Sequence, residues 1–317
     1  MYSVFHVMNE NSANTGPLSG VTILELSDGI AGAYAGRLLM LLGARLVKIE
    51  GAERSRLRTL GPFPSGVTGE ELSERGGLHL ALDSGKESVV LDTIQGSSKQ
   101  ELTDLLVGSH AVISSNSISR LGSFELTWEE IEELAPWMIV ARHSPFGEFG
   151  PYSDWKSSEI VDYAMGGYMS FSGDPEREPL LAPGFQGELH AGMQIAVSLL
   201  AGLLTAQQTG RGQEIEISTF ESLLNAHSWL TSSWTHEGVI PPRKVSAITP
   251  CLDGHVFWMA IPNPEFFLMI ERPEFLDDPR LDSFEEFREA VPEYRQAFSD
   301  WAADKLKNDI YHLAQKL

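Results

Sequence analysis

The sequence predicts an α/β protein with a doubly wound, mostly parallel sheet and a second, smaller α+β domain. Short apolar runs alternate with segments of helical spacing through most of the chain, and this alternation is typical of a parallel sheet covered by helices. The pattern changes near the adjacent prolines Pro241 and Pro242. We therefore predict a large domain at 17–225, followed by a linker helix and small domain at 226–317.

The first elements read as a βαβ unit. The apolar run 21–26 predicts a buried strand, 31–44 has helical composition and ends at Gly43, and 45–50 predicts the next strand. Residues 51–85 are rich in Gly, Pro, Ser and charge, which predicts a long surface excursion.

The alternation continues beyond that excursion. Strands are predicted at 87–92, 110–115, 137–144 and 214–218, with helices at 98–109, 127–136, 191–208 and 219–234. Thr127 followed by Glu130 predicts a capping box. In the small domain, 253–261 predicts a strand, and apolar residues at helical spacing continue from 284 towards the end of the chain.

Composition indicates which binding partners and which cellular compartment to expect. The formal net charge of the 317 residues is -21, which disfavours nucleic-acid binding because an acidic surface repels phosphate backbones. The single cysteine, Cys251, fits a reducing compartment. No basic start with a long apolar core follows Met1, and the apolar runs are interrupted before 18 residues, so we expect a cytoplasmic protein without a membrane span.

Six blocks of sequence occur in an order and spacing that resemble the family III coenzyme A transferases, the CaiB/BaiF family, over roughly residues 17–317. They are "GPLSGVTILELSDGIAGAYAGRLLMLLGARLVKIE", "GKESVVLD", "SPFGEFGPYSDW", "AMGGYMSFSGDPEREPL", "GELHAGMQIAVSLLAGLLTAQQTGRGQEIEIS" and "ERPEFLDDPRL". The agreement of several ordered blocks is more specific than any single motif.

The resemblance implies a Rossmann-like large domain and an enzyme that moves coenzyme A between carboxylic acids. It implies acyl-CoA and a small carboxylic acid as substrates, no permanently bound cofactor, no metal, and a homodimer of interlocked chains or a heteromer with a homologue. Family members use an aspartate that forms an acyl anhydride and then an enzyme-bound coenzyme A thioester. Glu188 occupies the matching position here.

Two interpretations of Glu188 remain open at this point. As a nucleophile, its carboxylate would form an anhydride as activated as the thioester it replaces. Backbone N–H groups of its own helix start, through Ala191 and Gly192, would then stabilise the oxyanion, and His190 could shuttle protons. Alternatively, Glu188 only complements the dipole of its own helix, which is worth roughly 0.3–1 kcal/mol.

Coenzyme A contacts are expected from the matching blocks and from the basic cluster "RSRLR" at 54–58, in an otherwise acidic chain. The candidates are Ala31, Gly32, Arg54, Arg56, Lys86, Arg120, Phe146 and Gly147. The chain departs from the family pattern at 114–119, where an Asn-Phe pair is missing, and at Ser144 and Gly51.

Two alternative functions follow from the departures. The first is a catalytically weak or inactive family member that acts as a partner subunit. It is suggested by glutamate at position 188 in place of the family aspartate, and by the expected absence, after Leu317, of the family's C-terminal return to the large domain. An α-methylacyl-CoA racemase is the second. Ser158 disfavours the racemase, because that branch has a histidine at the matching position and serine cannot replace an imidazole as general base.

Overall fold

The computed structural model describes residues 16–51, 55–66, 68, 72–91, 97–115, 126–240, 243, 248–258 and 263–316. These residues form two compact units. The first contains the described residues up to 172 together with 178–240, and the second contains 173–177 and the described residues from 243 onward.

The first unit is built on a six-stranded sheet in which every adjacent pair is parallel. The strands are β1 (Thr22–Leu26), β2 (Arg45–Glu50), β3 (Glu87–Val90), β4 (Ala111–Ser115), β5 (Ile139–Ser144) and β6 (Gln213–Ser218). Their order across the sheet is β3-β2-β1-β4-β5-β6. This is the doubly wound order, in which the strands before and after the β1–β4 pair are added on opposite sides of the sheet, so the predicted fold class is confirmed.

Nine helices of the first unit lie in its described part. They are α1 (Ile30–Leu41), α2 (Leu72–Arg75), α3 (Gly77–Asp83), α4 (Ser97–Val107), α5 (Trp128–Leu134), α6 (Glu159–Met165), α7 (Gln186–Thr209), α8 (Thr219–Ala226) and α9 (Ser228–Glu237). Short 3₁₀ turns occur at Arg56–Thr59 and Tyr168–Ser170. The capping box of α5 is present, with Thr127 and Glu130 in the predicted roles.

Helices cover both faces of the sheet, and consecutive residues of a strand pack against opposite layers. Ile23 packs with α1 and α7, whereas its neighbour Leu24 packs with α4 and α5 on the other face. Two apolar layers of this kind explain why the strands read as continuous hydrophobic runs rather than alternating ones.

Helices α1 and α7 approach each other closely at Gly192. A Cβ atom at this position would lie 2.6 Å from the carbonyl oxygen of Ala31, so only glycine fits without moving a backbone. The contact brings the first turns of the two helices together at the carboxyl end of the sheet.

Helix α7 begins at Gln186, several residues before the predicted start at 191. The prediction missed this first turn because it contains polar residues and Gly187 rather than an apolar stripe. The helix predicted at 219–234 is divided into α8 and α9. His227 separates them, with backbone angles outside the helical region, and its buried ring hydrogen-bonds the carbonyl oxygen of Gly166.

Two further predictions differ from the structure. The excursion at 51–85 contains α2 and α3, and it contributes Leu57 and Leu82 to a buried cluster, so it is not only surface. The predicted domain boundary after residue 225 also lies earlier than the observed division, because α9 belongs to the first unit.

Helix α7 bears on the membrane question. Its 24 residues are long and apolar enough by length and composition to cross a bilayer, so the interrupted apolar runs do not by themselves exclude a membrane span. The same properties occur in core helices of globular proteins, and Ile195, Leu199 and Leu203 of α7 pack against the sheet.

The second unit is smaller and combines a hairpin with helices. Its antiparallel strands are β7 (Ile248–Cys251) and β8 (Gly254–Phe257), where one strand at 253–261 was predicted. Its helices are α10 (Pro264–Met269), α11 (Phe284–Ala302) and α12 (Lys307–Ala314), with 3₁₀ turns at Pro273–Phe275 and Pro279–Leu281. Phe267, Tyr294 and Phe298 form the centre of its aromatic core.

Candidate active site

Glu188 lies in the first turn of α7, but its carboxylate is held by a different helix. Its Oε2 accepts hydrogen bonds from the N–H of Ile30 at 2.6 Å and from the N–H of Ala31 at 3.2 Å. These are the first two N–H groups of α1, which have no partner inside that helix. A negative charge at this helix start is stabilised both by the hydrogen bonds and by the helix dipole.

The start of α1 lies at the carboxyl ends of β1 and β4, the two adjacent strands at which the strand order reverses. Helix α1 follows β1 through the segment 27–29, and the N–H of Asp28 donates to Ser115 Oγ at the end of β4, at 2.9 Å. Ligands of open α/β sheets bind in the crevice at the carboxyl ends of these two strands. The structure therefore places the Glu188 carboxylate at this crevice.

Two more carboxylates belong to the same site, and the sequence analysis missed both as functional candidates. Glu159 Oε1 accepts a hydrogen bond at 2.8 Å from the N–H of Gly187, which caps the start of α7. Asp162, one turn later on α6, is buried and accepts a hydrogen bond from Ser157 Oγ. Acidic residues three positions apart on a helix after the fifth strand were the available signal.

Burial and neighbouring charges raise the pKa values of Glu159 and Asp162. Burial raises the pKa of Glu159, and the charge of Glu188 raises it further against the hydrogen bonds from the start of α7. Burial also raises the pKa of Asp162 to about 6, with additional contributions from Glu159 and Glu188. Raised carboxylate pKa values are a feature of functional sites, because the groups are partly desolvated and close to like charges.

His190 is part of the helix rather than of the carboxylate group. Its Nδ1 lies 2.7 Å from the carbonyl oxygen of Gln186, one turn earlier in α7. The ring nitrogen therefore donates to the backbone of the first turn. Of the oxyanion donors expected from α7, the N–H of Glu188 bonds the Glu159 carboxylate and the N–H of Leu189 bonds the carbonyl of Phe185. Ala191 and Gly192 lie inside the helix, beyond the N–H groups that lack intrahelical partners.

Lys86 occupies a buried ion-pair network instead of an open position. Its Nζ donates to Glu25 at 2.7 Å, to Asp83 at 2.8 Å and to the carbonyl oxygen of Ala33 at 2.9 Å. Lys48 bonds the same two carboxylates, and all four charged side chains are buried. With its three N–H groups engaged, Lys86 has no donor left for a phosphate in this arrangement, contrary to the expected coenzyme A contact.

The basic cluster at 54–58 is divided in the structure. Arg58 forms a two-point pair with Glu50, with Nε and Nη2 each 2.8 Å from a carboxylate oxygen. Burial alone would raise the pKa of Glu50, but hydrogen bonds from Arg58, Ser88 and the backbone of Ser55 lower it to about 2. Arg56 is exposed on the adjacent 3₁₀ turn, whereas Arg54 lies outside the described residues.

The remaining expected contacts have different surroundings. Phe146 is buried against Tyr152, Trp155 and Phe220 beyond β5, so its ring supports the loop. Gly147 has φ 87°, a conformation that favours glycine, and its N–H donates to Ser144 Oγ at 2.9 Å.

Ala31 and Gly32 are buried in the first turn of α1, where the N–H of Ala31 faces Glu188. Arg120 and the segment 116–119 lie outside the described residues. Ser158, the position that bears on racemase chemistry, precedes α6 and makes no side-chain capping hydrogen bond.

A model of CoA-transferase family III matches residues 18–317. The chain belongs to this family. Among curated relatives of the family, succinate–glutarate CoA-transferase of Agrobacterium fabrum is 30% identical over 259 residues, which are 80% of this chain and 62% of that protein. Formyl-CoA:oxalate CoA-transferase of Streptomyces avermitilis is 26% identical over 328 residues, covering 93% of this chain and 77% of that protein.

Solved structures agree on the family III fold. Rv3272 from M. tuberculosis in its orthorhombic form matches with a TM-score of 0.80 and 21% identity over 95% of this chain and 82% of that chain. A CAIB/BAIF family protein from Brucella suis matches with a TM-score of 0.78 and 22% identity, with the same coverage. The chain spans less than two thirds of the Agrobacterium relative and about half of the formyl-CoA:oxalate CoA-transferase of Streptomyces coelicolor.

Proposed function

We propose that the protein moves coenzyme A between an acyl-CoA and a carboxylic acid, with Glu188 as the nucleophile. The observation that carries the proposal is the Glu188 carboxylate, which the first N–H groups of α1 hold at the crevice between β1 and β4. The names of the curated relatives support the reaction class. The acids in those names are not carried over to this chain.

The reaction divides into steps of similar energy. A carboxylate oxygen of Glu188 attacks the thioester carbonyl and the C–S bond breaks. Coenzyme A leaves as a thiolate, and the acyl group remains on Glu188 as a mixed anhydride. The thiolate then attacks the Glu188 carbonyl carbon, which releases the first acid as a carboxylate and leaves a glutamyl thioester. Attack by the acceptor carboxylate and return of the thiolate repeat these steps in reverse and regenerate Glu188.

The N–H groups of α1 explain how the side-chain carbonyl of Glu188 could be activated. When the thiolate attacks this carbonyl, negative charge develops on its oxygen. Oε2 is already 2.6 Å from the N–H of Ile30 and 3.2 Å from that of Ala31, so two fixed donors face the developing charge. Donors arranged in this way contribute without reorganisation during the reaction.

Coenzyme A binding is part of the same proposal. We propose contacts from Arg54, Arg56 and Arg120, and from the backbone at Ala31, Gly32 and Gly147. Exposure of Arg56 on its 3₁₀ turn supports it as an anion contact. Coenzyme A is bound as a substrate, and we propose no permanently bound cofactor or metal.

The test is to trap the covalent intermediate. The protein is incubated with an acyl-CoA, treated with hydroxylamine or borohydride, and digested for mass spectrometry. We expect a modified peptide containing Glu188, and no modification in Glu188→Gln, which retains an oxygen to accept from Ile30. An unmodified Glu188 peptide in the wild type, across several acyl-CoAs, would contradict the proposed chemistry.

A second candidate function is a partner subunit in a heteromer. One relative, 24% identical over 91% of this chain, is named subunit BbsE of a succinyl-CoA:(R)-benzylsuccinate CoA-transferase of Thauera aromatica. We propose a homodimer as the first assembly to test and a heteromer with a homologue as the second. The molar mass of the isolated chain from light scattering separates a monomer from a dimer, and turnover by that chain alone would exclude an obligate heteromer.

The single cysteine supports our proposal that the reaction takes place in the cytoplasm.

A further inference from the structure

One histidine joins two groups of buried charges in the first unit. The side chain of His79, on α3, is 13% exposed. Its Nε2 lies 3.1 Å from Arg58 Nη1, and its Nδ1 lies 2.9 Å from Asp83 Oδ2. Because a guanidinium only donates hydrogen bonds, Nε2 must accept, and the ring hydrogen must lie on Nδ1. The geometry therefore requires a neutral imidazole that accepts from Arg58 and donates to Asp83.

Both partners of the ring bond further charged side chains. These are Glu50 and Glu74 around Arg58, Lys48 and Lys86 around Asp83, and Glu25, which bonds both lysines. The carboxylates and cations of this network come from β1, β2, the 3₁₀ turn at Arg56–Thr59, α2 and the end of α3. His79 thus links the charged pairs of Arg58 to those of Asp83.

The network lies against the first turns of α1. Leu57 and Leu82, from the excursion at 51–85, are buried in one cluster with Ile30 at the start of this helix. Their chain neighbours are Arg58 and Asp83, the two partners of the histidine ring. A change in the distance between these partners would therefore alter the packing against Ile30.

Ile30 connects this packing to the proposed nucleophile. Its N–H is the shorter of the two donors to the Glu188 carboxylate, 2.6 Å from Oε2. Lys86 also bonds the backbone of α1, because its Nζ donates to the carbonyl oxygen of Ala33 at 2.9 Å. Since a displacement of about 1 Å can cost about a hundredfold in rate, a shift of a few tenths of an ångström at this helix start should be measurable.

We propose that His79 is a positioning residue for coenzyme A transfer, because its neutral ring joins Arg58 to Asp83 and keeps the excursion packed against the start of α1. This inference rests on the proposed function of Glu188. A protonated ring would carry a hydrogen on Nε2, directed at the Arg58 guanidinium. Two cations would then replace a hydrogen bond, so the packing should loosen and the reaction should slow in acid.

The experiment compares the wild type with His79→Gln. An amide can accept from Arg58 and donate to Asp83, and it does not gain a proton in the range where an imidazole does. The rate at which the Glu188 peptide acquires its covalent modification is measured at saturating acyl-CoA. We expect similar rates at about pH 7.5, and a wild-type rate about threefold or more below that of the variant at about pH 5.5.

The ratio of the two rates isolates His79, because other groups titrate in both proteins. Asp162, whose pKa is raised to about 6, is one of them. The matched control is His236→Gln, an exposed change on α9, which should follow the wild type at both pH values. A ratio of wild type to His79→Gln that is the same at both pH values would overturn the inference and leave the proposed function intact.

A third variant removes the bridge without a substitute. His79→Leu can neither accept from Arg58 nor donate to Asp83, so we expect it to react about threefold or more slowly than His79→Gln already at about pH 7.5. An undiminished rate in His79→Leu would overturn the positioning role. If the Glu188 peptide of the wild type is not modified at either pH, the proposed function and the inference fail together.

The tautomer can be tested without any activity measurement. Heteronuclear NMR of the histidine rings in the wild type reports which nitrogen carries the hydrogen. We expect His79 to have its hydrogen on Nδ1 at about pH 7.5. A hydrogen on Nε2, in a neutral or a charged ring, would overturn the bridge between Arg58 and Asp83.

Discussion

Glu188 differs from an ordinary helix-capping carboxylate because the N–H groups it binds belong to a helix 158 residues earlier in the chain. The side chain reaches these groups with Oε2 2.6 Å from the N–H of Ile30 and 3.2 Å from that of Ala31. At the scale of this residue, the carboxylate both stabilises the start of α1 and is held in position for the proposed attack. The helix dipole that this charge complements is that of α1, whereas the alternative interpretation of the sequence named the dipole of the helix that contains Glu188.

Shortening this side chain should slow the proposed reaction. Glu188→Asp withdraws the carboxylate by roughly 1.5 Å, and misplacement of about 1 Å can cost about a hundredfold in rate. We expect a loss of about that size in kcat for coenzyme A transfer, measured with the acyl-CoA that labels the wild type. Full activity in Glu188→Asp would contradict the positioning role of the α1 N–H groups.

Lys86 was expected to contact coenzyme A, but the structure places it in a buried ion-pair network. Lys86→Met would leave Glu25 and Asp83 buried with one cation fewer, which we expect to lower the free energy of unfolding by about 3–5 kcal/mol. Urea denaturation measures the effect. The control is Arg56→Met, whose exposed side chain should change stability by no more than about 0.5 kcal/mol.

Coenzyme A binding by Lys86→Met separates the observed ion-pair role of Lys86 from the ligand contact expected from the sequence. A Lys86→Met protein with unchanged stability and weakened coenzyme A binding would show that Lys86 contacts the ligand after all.

At the scale of elements, the start of α1 and the start of α7 form one structural feature. The close approach of Gly192 to Ala31 sets the distance between the helices, and the Glu188 carboxylate bridges their first turns. The segment 27–29 between β1 and α1 must therefore leave room for the carboxylate.

A substitution at Gly29, in this segment, tests whether the carboxylate needs that room. A Cβ atom there would lie 3.0 Å from Glu188 Oε2, so Gly29→Ala should displace the carboxylate by a few tenths of an ångström. We expect kcat to fall on the order of tenfold, with a stability loss of about 1 kcal/mol or less. Gly51→Ala is the matched control, because its Cβ would meet nothing within 4 Å. Equal kinetics of the two variants would show that the site tolerates movement of the carboxylate.

At the scale of the whole molecule, buried titratable groups predict how stability depends on pH. His143, on β5, is buried, and its Nε2 lies 2.9 Å from Thr219 Oγ1. Burial lowers the pKa of His143 to about 4, from a usual value of about 6.5. The unfolded chain therefore binds this proton first as the pH falls, and stability is lost from about pH 6.5 down to about pH 4.

Replacing the imidazole should remove that contribution. We expect the difference in free energy of unfolding between wild type and His143→Phe to shift by up to about 3 kcal/mol between pH 7 and pH 4. Asp162, whose pKa is raised to about 6, acts in the opposite direction, since its contribution weakens as the pH rises towards 6. It is present in both proteins and cancels in the difference. Parallel stability curves for the two proteins would contradict the prediction.

The fold class could be predicted from the sequence alone, because buried parallel strands and amphipathic helices have distinct periods that can be read locally. The family motif pointed to Glu188, whose role as nucleophile stays a prediction, and the local pattern predicted the capping box at Thr127, which is present and is formed within one turn of chain. Which polar groups contact one another could be seen only once the helices were packed on the sheet. The carboxylate of Glu188 bonds Ile30, Lys86 bonds Glu25, and Glu159 caps α7, and each pair joins residues distant in sequence. Local pattern contains no information on such distances, because the order of strands and the packing of α1 on α7 set them.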